Sequence, residues 1–183
     1  MIIFISDAFS DQYRGGGELT TDAIIDASLF PVNKVLSRQV TIEMMRQNKD
    51  AYWIFGNFAA VNPSCLLYAA KNLKYSVIEY DYKYCKYRSV KKHETFEEMC
   101  KCAGSHSGKL VSAFLAKSDK VFWMSQNQYD NYKNVFSFLS KNGFVLSSIF
   151  SIDTLKYISE LNIDDKNDKW IILNSPSWIK GTK

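Results

Sequence analysis

The sequence predicts an α/β fold, a mostly parallel sheet with helices on both faces. Two observations predict it: short, continuously apolar segments, and helix-like segments that lie between most of them. Strands buried on both faces are apolar throughout, and parallel neighbours need a crossover connection, which is usually a helix. The predicted strands are residues 2–5, 32–36, 51–55, 75–80, 120–124, 144–149 and 170–173. The predicted helices are residues 18–27, 41–47, 63–72, 108–116, 126–139 and 152–161.

The first strand and helix show this pattern clearly. Residues 2–5 are all apolar, and Leu19, Ala23, Ile24 and Ala27 then recur at helical spacing on one face. The later strands are also short and apolar, and right-handed crossovers between them give a Rossmann-like arrangement. The charge-rich stretch 162–169 is typical of a solvated turn or linker.

The composition is that of one folded domain. With 183 residues, of which 46% are hydrophobic and 15% aromatic, the chain can bury a core. No apolar run approaches the roughly 18 to 20 residues of a membrane span, and the start lacks the features of a signal peptide, so we expect a cytoplasmic protein. The net charge of +4 permits an anionic partner without requiring one. No nucleophile elbow, His-x-x-x-His pair or paired-carboxylate motif indicates a hydrolase.

A glycine loop joins the first strand to the first helix. Its sequence is Arg14, Gly15, Gly16, Gly17 and Glu18. Three adjacent glycines allow a ligand to approach the backbone closely, and the helix that follows offers free N–H groups and the positive end of its dipole. The loop is therefore a candidate anion site, although the spacing is neither that of a dinucleotide fingerprint nor that of a P-loop. The alternative is a tight strand-to-helix turn without a ligand.

Four segments should meet beyond the carboxyl ends of the strands, where ligands of such sheets bind: residues 7–18, 56–57, 81–88 and 125–126. Asp81 is the candidate catalytic residue here, because a carboxylate at a strand end can orient hydroxyl groups or hold a charge partner; it could also be a simple cap. Tyrosines and basic residues alternate in the same segment, a mixture that can bind sugars, phosphates or single-stranded nucleic acid. The alternative is packed tyrosines and solvated lysines.

Three of the four cysteines and both histidines fall within a short stretch. They are Cys85, His93, Cys100, Cys102 and His106. Because zinc takes four ligands of these types, the sequence predicts a structural zinc site made by four of the five at most. The spacing matches no common zinc motif, so ordinary buried thiols and surface histidines remain the alternative.

The order of segments resembles the amino-terminal half of a retaining glycosyltransferase of the two-Rossmann-domain (GT-B) type, family 4 in particular. The resemblance rests on the glycine loop 15–18, the segment 117–125, the segment 145–151, and strand 170–173 followed by Lys180-Gly181. It implies an acceptor-side domain over 1–165, with a Cys/His-rich insertion at about 82–108, and the start of a donor-binding domain over 166–183.

In that family the glycine loop and Lys180 would contact the diphosphate of a nucleotide sugar, and the sugar would pass to a carbohydrate or other acceptor. The chain alone would be inactive without a donor-binding domain, which a separate chain could supply. The sequence departs from the family at Asn174-Ser175, where Gly-Arg is usual, and around Asp81, where a His often stands.

Two further interpretations remain open. One is a noncatalytic Rossmann-like module that recognises nucleotides or nucleic acid through Lys83, Lys86 and Arg88. The transferase hypothesis, in contrast, does not predict nucleic acid as a partner. The other is a metal-stabilised interaction domain.

Overall fold

The computed structural model describes residues 1–140 and 143–160. Six strands form one sheet in the order β2-β1-β3-β4-β5-β6, and every neighbouring pair is parallel. The strands are β1 (Ile2–Ser6), β2 (Val32–Leu36), β3 (Tyr52–Phe55), β4 (Lys74–Glu79), β5 (Lys120–Trp123) and β6 (Gly143–Val145). The helices are α1 (Gly16–Asp26), α2 (Ile42–Gln47), α3 (Pro63–Asn72), α4 (Val90–Glu97), α5 (His106–Lys117), α6 (Gln126–Val135) and α7 (Ile152–Glu160). The predicted α/β, Rossmann-like fold is confirmed.

The larger core lies on the face of the sheet that α2, α3, α5 and α6 cover. Alternation along each strand sends Ile3 and Ile5 of β1 into this core and Phe4 to the other face. Aromatic rings fill the centre, where Phe114 of α5 stacks on Tyr75 at 4.6 Å between ring centroids and meets Phe55 edge-on. On the opposite face, Phe4 and Ile78 pack against α1. Helices therefore lie on both faces, as predicted.

Local sequence signals explain where the helices begin. The side chains of Thr41, Asn62, Ser105 and Ser125 each accept a hydrogen bond from a backbone N–H in the first turn of α2, α3, α5 and α6. Such caps contribute about 1 kcal/mol each. Pro63 then stands at the start of α3, where its missing N–H costs nothing.

The structure differs from the sequence prediction in one helix that was not predicted and in the ends of several elements. The insertion at about 82–108 contains α4, α6 ends at Val135 instead of residue 139, and the last described strand ends at Val145 instead of residue 149. The predicted strand 170–173 lies outside the described residues.

The chain divides into two units, Met1–Ser151 and Ile152–Lys183. The first unit contains the six described strands. Of the second unit, the structure describes α7. The predicted domain boundary at residue 165 lies outside the described residues and stays a prediction. Among the helices of the described part, none has the length and apolar character needed to cross a membrane.

Candidate metal centre and functional site

Four side chains converge after β4 into a cluster that could hold a metal ion: Cys85, His93, Cys100 and Cys102. Their ligand atoms all lie within 4.8 Å of one another. The sulfurs of Cys85 and Cys100 are 3.8 Å apart, and His93 Nδ1 lies 3.3 Å from the sulfur of Cys85 and 3.5 Å from that of Cys102. A tetrahedral zinc ion, with bonds of about 2.3 Å to sulfur and about 2.0 Å to nitrogen, separates two sulfurs by about 3.8 Å and a sulfur from a nitrogen by about 3.5 Å. Three of the ligand-atom separations therefore match the edges of a tetrahedral zinc site.

The backbone around α4 brings these ligands together. Cys85 lies in a pair of tight turns, in which its N–H donates to the Tyr82 carbonyl and its own carbonyl accepts from the N–H of Arg88, both at 2.8 Å. Ser89 then caps α4 and places His93 on the buried side of that helix. Arg88 before the helix has a positive φ of 54°. The chain thus reverses sharply at the start of this short helix, which directs His93 back towards Cys85.

Glu97 orients His93 by contacting the ring nitrogen that faces away from the sulfurs. Its carboxylate Oε2 lies 3.1 Å from His93 Nε2, so that Nε2–H can donate to Glu97 while Nδ1 faces the three sulfurs. Hydrogen bonds from Lys86 and Tyr87 hold Glu97 in turn and lower its pKa to about 2. Histidine ligands of zinc commonly donate their second N–H to a carboxylate in this way.

The Cys100 thiol is not arranged as a nucleophile. Burial raises the pKa of the Cys100 thiol to about 12, so without a metal this sulfur keeps its proton. A reactive cysteine needs the opposite, a lowered pKa. A divalent cation would replace the thiol protons, because metals bind the thiolate.

The structure selects four of the five predicted metal ligands. His106 is exposed at the first position of α5 and lies outside the cluster. Cys65, the cysteine that the prediction left out, is buried in α3 and its thiol points to the Val40 carbonyl. The sequence interpretation missed Glu97, although its spacing four residues after His93 puts both on one helix face.

A network of charged side chains lies beside this cluster at the carboxyl edge of the sheet. Asp81, the candidate catalytic residue, pairs with Lys83 at 3.0 Å and with Arg88 at 2.6 Å. Arg88 also contacts Asn57 after β3 and lies 3.8 Å from Asp7 after β1. Three of the four segments predicted to meet at this edge are thus joined through Arg88. Asp81 is charge-paired, which suits orientation of a ligand better than abstraction of a proton.

Gln128 brings the fourth predicted segment to the same place. It belongs to the first turn of α6, directly after 125–126, and its amide donates to the backbone carbonyls of Glu79 at 3.0 Å and Asp81 at 3.1 Å. Glu79 itself is fully buried at the end of β4, and burial raises the pKa of its carboxyl to about 7. The sequence interpretation missed Glu79, whose signal was an acidic residue at the end of an apolar strand.

The glycine loop begins α1 at the same edge. Gly15 is the N-cap without a side-chain hydrogen bond, and a Cβ added to it would come within 2.4 Å of the Glu18 carboxylate. Gly17 lies against the ring of Tyr80, which follows β4. Glu18 is buried in the first turn, so the positive end of this helix dipole already has a carboxylate beside it.

The other predicted anion-binding residues differ in accessibility. Arg14 is exposed, and Gly16 lies open: within the described part of the chain, nothing beyond its immediate neighbours lies within 4 Å of an added Cβ. Lys180 lies outside the described residues. A phosphate could reach the backbone at Gly16 but would meet the charge of Glu18.

The glycosyltransferase resemblance remains a sequence-based prediction. It draws on segments that the structure describes, such as the glycine loop, and on others that lie outside the described residues, such as Lys180-Gly181. Comparisons of the chain with protein-family models, with curated proteins and with solved structures found no match.

Proposed function

We propose that residues 82–108 are a zinc-stabilised insertion, in which Cys85, His93, Cys100 and Cys102 bind one structural Zn²⁺. The observation that carries this proposal is the convergence of the four ligand atoms to within 4.8 Å of one another, with three of their separations close to the edges of a zinc tetrahedron. Because four protein ligands fill a tetrahedron, the ion would have no open position for substrate and its role would be structural.

The ligand types favour zinc over other common metals. Three thiolates exclude the hard cations Mg²⁺ and Ca²⁺, which prefer oxygen ligands. Zinc suits mixed thiolate and imidazole sets. Reduced thiols are maintained in a reducing compartment, which agrees with the expected cytoplasmic location.

Metal analysis of the purified protein tests the proposal. We expect one zinc per chain, and we expect Co²⁺ in its place to show the absorption of tetrahedral thiolate coordination. Cys100→Ser should lose the metal, whereas Cys65→Ser, another buried cysteine, should keep it. His93→Ala and His106→Ala make a second matched pair. Purified protein without metal that also fails to bind added zinc would refute the proposal.

A second candidate function is the acceptor side of a glycosyltransferase, with a nucleotide sugar held by a donor-binding domain. The observation that favours it is the meeting of Asp7, Asn57, Asp81 and Arg88 at the carboxyl edge of one parallel sheet, the place where such folds bind ligands, with the glycine loop starting α1 at the same edge. In this hypothesis Asp81 orients an acceptor hydroxyl. The free N–H groups at Gly16 and Gly17 stabilise the departing diphosphate.

Gly16→Ala separates this function from a merely structural turn. No described atom crowds the new methyl group, and alanine favours the first turn of a helix, so stability should not fall. If a diphosphate approaches the backbone here, the methyl group should lower turnover about tenfold or more once the chain is joined to a donor-binding domain. Gly104→Ala, at an equally open position, is the control.

Unchanged turnover in Gly16→Ala would refute the role of the loop. Absence of sugar transfer with any donor-binding domain would refute the transferase hypothesis itself. The zinc proposal would survive either result, because it depends on different residues.

The basic residues of this segment are committed to internal ion pairs. Lys83 is buried against Asp81, Lys86 pairs with Glu97, and Arg88 pairs with Asp81. Nucleic-acid binding needs exposed cations that can replace the counterions of many phosphates. Because Lys83 is buried and Lys86 and Arg88 are ion-paired, the geometry does not favour nucleic-acid binding by these three side chains.

A further inference from the structure

A pocket of about 150 Å³ lies beside the charged network, between the loop after β3 and the first turns of α3 and α5. Six apolar side chains contribute about half of its accessible wall: Phe58, Val61, Pro63, Leu66, Leu110 and Val111. A cavity of about this volume is large enough for a benzene ring. The pocket therefore suits a small molecule with an apolar surface.

Two cations, Lys83 and Arg88, complete the wall, and no carboxylate of the described residues lines it. The Lys83 side chain is only 2% exposed, yet its ammonium makes one hydrogen bond, to Asp81 at 3.0 Å. Glu79 is 3.7 Å away, beyond hydrogen-bond distance. Two of the three N–H donors of Lys83 thus have no acceptor among the described residues.

Arg88 shows the same surplus of donors. Its Nη1 is 3.8 Å from Asp7, too far for a hydrogen bond, and is the donor that a ligand could meet; its Nε also has no acceptor in the described part of the chain but is sealed from solvent. Its backbone also adopts a positive φ, which costs energy in a residue other than glycine. A buried charged group with unused donors is costly, and such groups point to a missing acceptor.

We propose that this pocket binds a small organic acid, with the carboxylate at Lys83 and Arg88 and the apolar body between Phe58 and Leu110. A carboxylate supplies the acceptor oxygens that the two cations lack, and the apolar wall selects for a hydrocarbon body. This inference goes beyond the proposed functions, since it requires neither zinc binding nor sugar transfer.

The composition of the wall decides between classes of anion. Inorganic phosphate would satisfy the donors but would leave the apolar wall without a partner. A small carboxylic acid uses both parts of the pocket, as small-molecule sites generally do. Asp7, Glu79 and Asp81 together offset the charge of the two cations, so a carboxylate would be held mainly by the unused N–H donors and the affinity should be moderate.

Titration of the purified protein with benzoate tests the proposal, with binding followed by calorimetry and by NMR shifts of pocket residues. We expect a dissociation constant on the order of millimolar. Benzamide has the same shape without the charge and should bind about tenfold more weakly or worse. Inorganic phosphate should compete poorly.

Two variants locate the site. Ser107→Trp fills the mouth of the pocket from an exposed position and should abolish benzoate binding, whereas Lys109→Trp on the same helix, outside the lining, should not. Lys83→Met combined with Glu79→Gln removes the buried ion pair as a unit, so that no charge is left uncompensated, and should weaken benzoate about tenfold. Equal binding of benzoate and benzamide, stronger binding of phosphate, or full affinity in Ser107→Trp would each overturn the proposal.

Discussion

Glu79 should make the stability of this domain depend on pH around neutrality. Its carboxyl is fully buried, and loss of hydration is the main cause that raises its pKa from 4.5 to about 7. Lys83 opposes this shift, through its charge and through its backbone N–H, which donates to Glu79 Oε1 at 3.1 Å, and Asp81 adds to it. Arg88 is the remaining charged neighbour that interacts with Glu79.

The sign follows from the protons bound in each state. Between pH 4.5 and about 7 the unfolded chain has lost this proton while the folded protein retains it, so the free energy of unfolding falls as the pH rises through that range. A displacement from 4.5 to about 7 corresponds to roughly 3 kcal/mol. Above about pH 7.5 both states are ionised and the contribution of Glu79 becomes constant.

Glu79→Gln isolates this contribution because the amide has nearly the same shape and does not titrate. We expect the free energy of unfolding of the native protein, minus that of Glu79→Gln, to decrease by roughly 2 to 2.5 kcal/mol between pH 5 and pH 7.5, which is most of the full displacement. Urea denaturation at constant zinc concentration measures both proteins, and the subtraction removes the pH dependence of the metal site. Glu43→Gln, at an exposed position of α2, is the control.

A difference that stays flat over this range, or that increases with pH, would refute the reasoning. Either result would mean that Glu79 is ionised in the folded protein under mildly acidic conditions. The ion pair with Lys83 would then outweigh the cost of burial.

Three further predictions follow from the same contacts. Glu97→Gln keeps the four metal ligands but removes the carboxylate behind His93, so zinc affinity, measured by competition with a chelator, should fall about 10- to 100-fold; an unchanged affinity would show that Glu97 does not orient the ligand. Removal of zinc should accelerate trypsin cleavage after Lys86 and Arg88 by on the order of tenfold, because the turns around Cys85 lose their anchor; equal cleavage patterns on gels would contradict a structural role. Phe114→Ala should lower the free energy of unfolding by about 3 to 5 kcal/mol in denaturant titrations, since its ring fills the aromatic core, and a loss below 1 kcal/mol would contradict that packing.

The fold was predictable because hydrophobic pattern and strand length agree along this chain. Each of the six described strands overlaps a predicted one, and α3, whose start carries the Asn62 cap and Pro63, was predicted to the residue. Helix α4 was not predictable in this way, because only His93 of its eight residues is buried and no apolar face exists. The Ser89 cap stabilises the start of α4, and a metal ion bound to His93 would stabilise the helix further.

The metal cluster was predictable only as a group of candidates. The concentration of cysteines and histidines indicated a site, but only the folded chain separates His106, exposed on α5, from His93 on the buried side of α4. The organic-acid pocket left no local signal in the sequence. Its walls come from α3, α5 and two loops that the sheet brings together, so only their spatial arrangement reveals it.

The candidate metal ligand Cys85 links the two sites described here. It lies between Lys83 and Arg88 in the chain, and its backbone N–H and carbonyl close the two turns that carry these cations to the edge of the sheet. A zinc ion bound to the Cys85 sulfur would therefore fix the backbone from which both cations reach the pocket. Because Arg88 holds an unfavourable φ, the segment would relax if that anchor were lost. A metal ion in the cluster would thus stabilise the loop whose Arg88 side chain connects β1, β3 and β4 at their carboxyl ends.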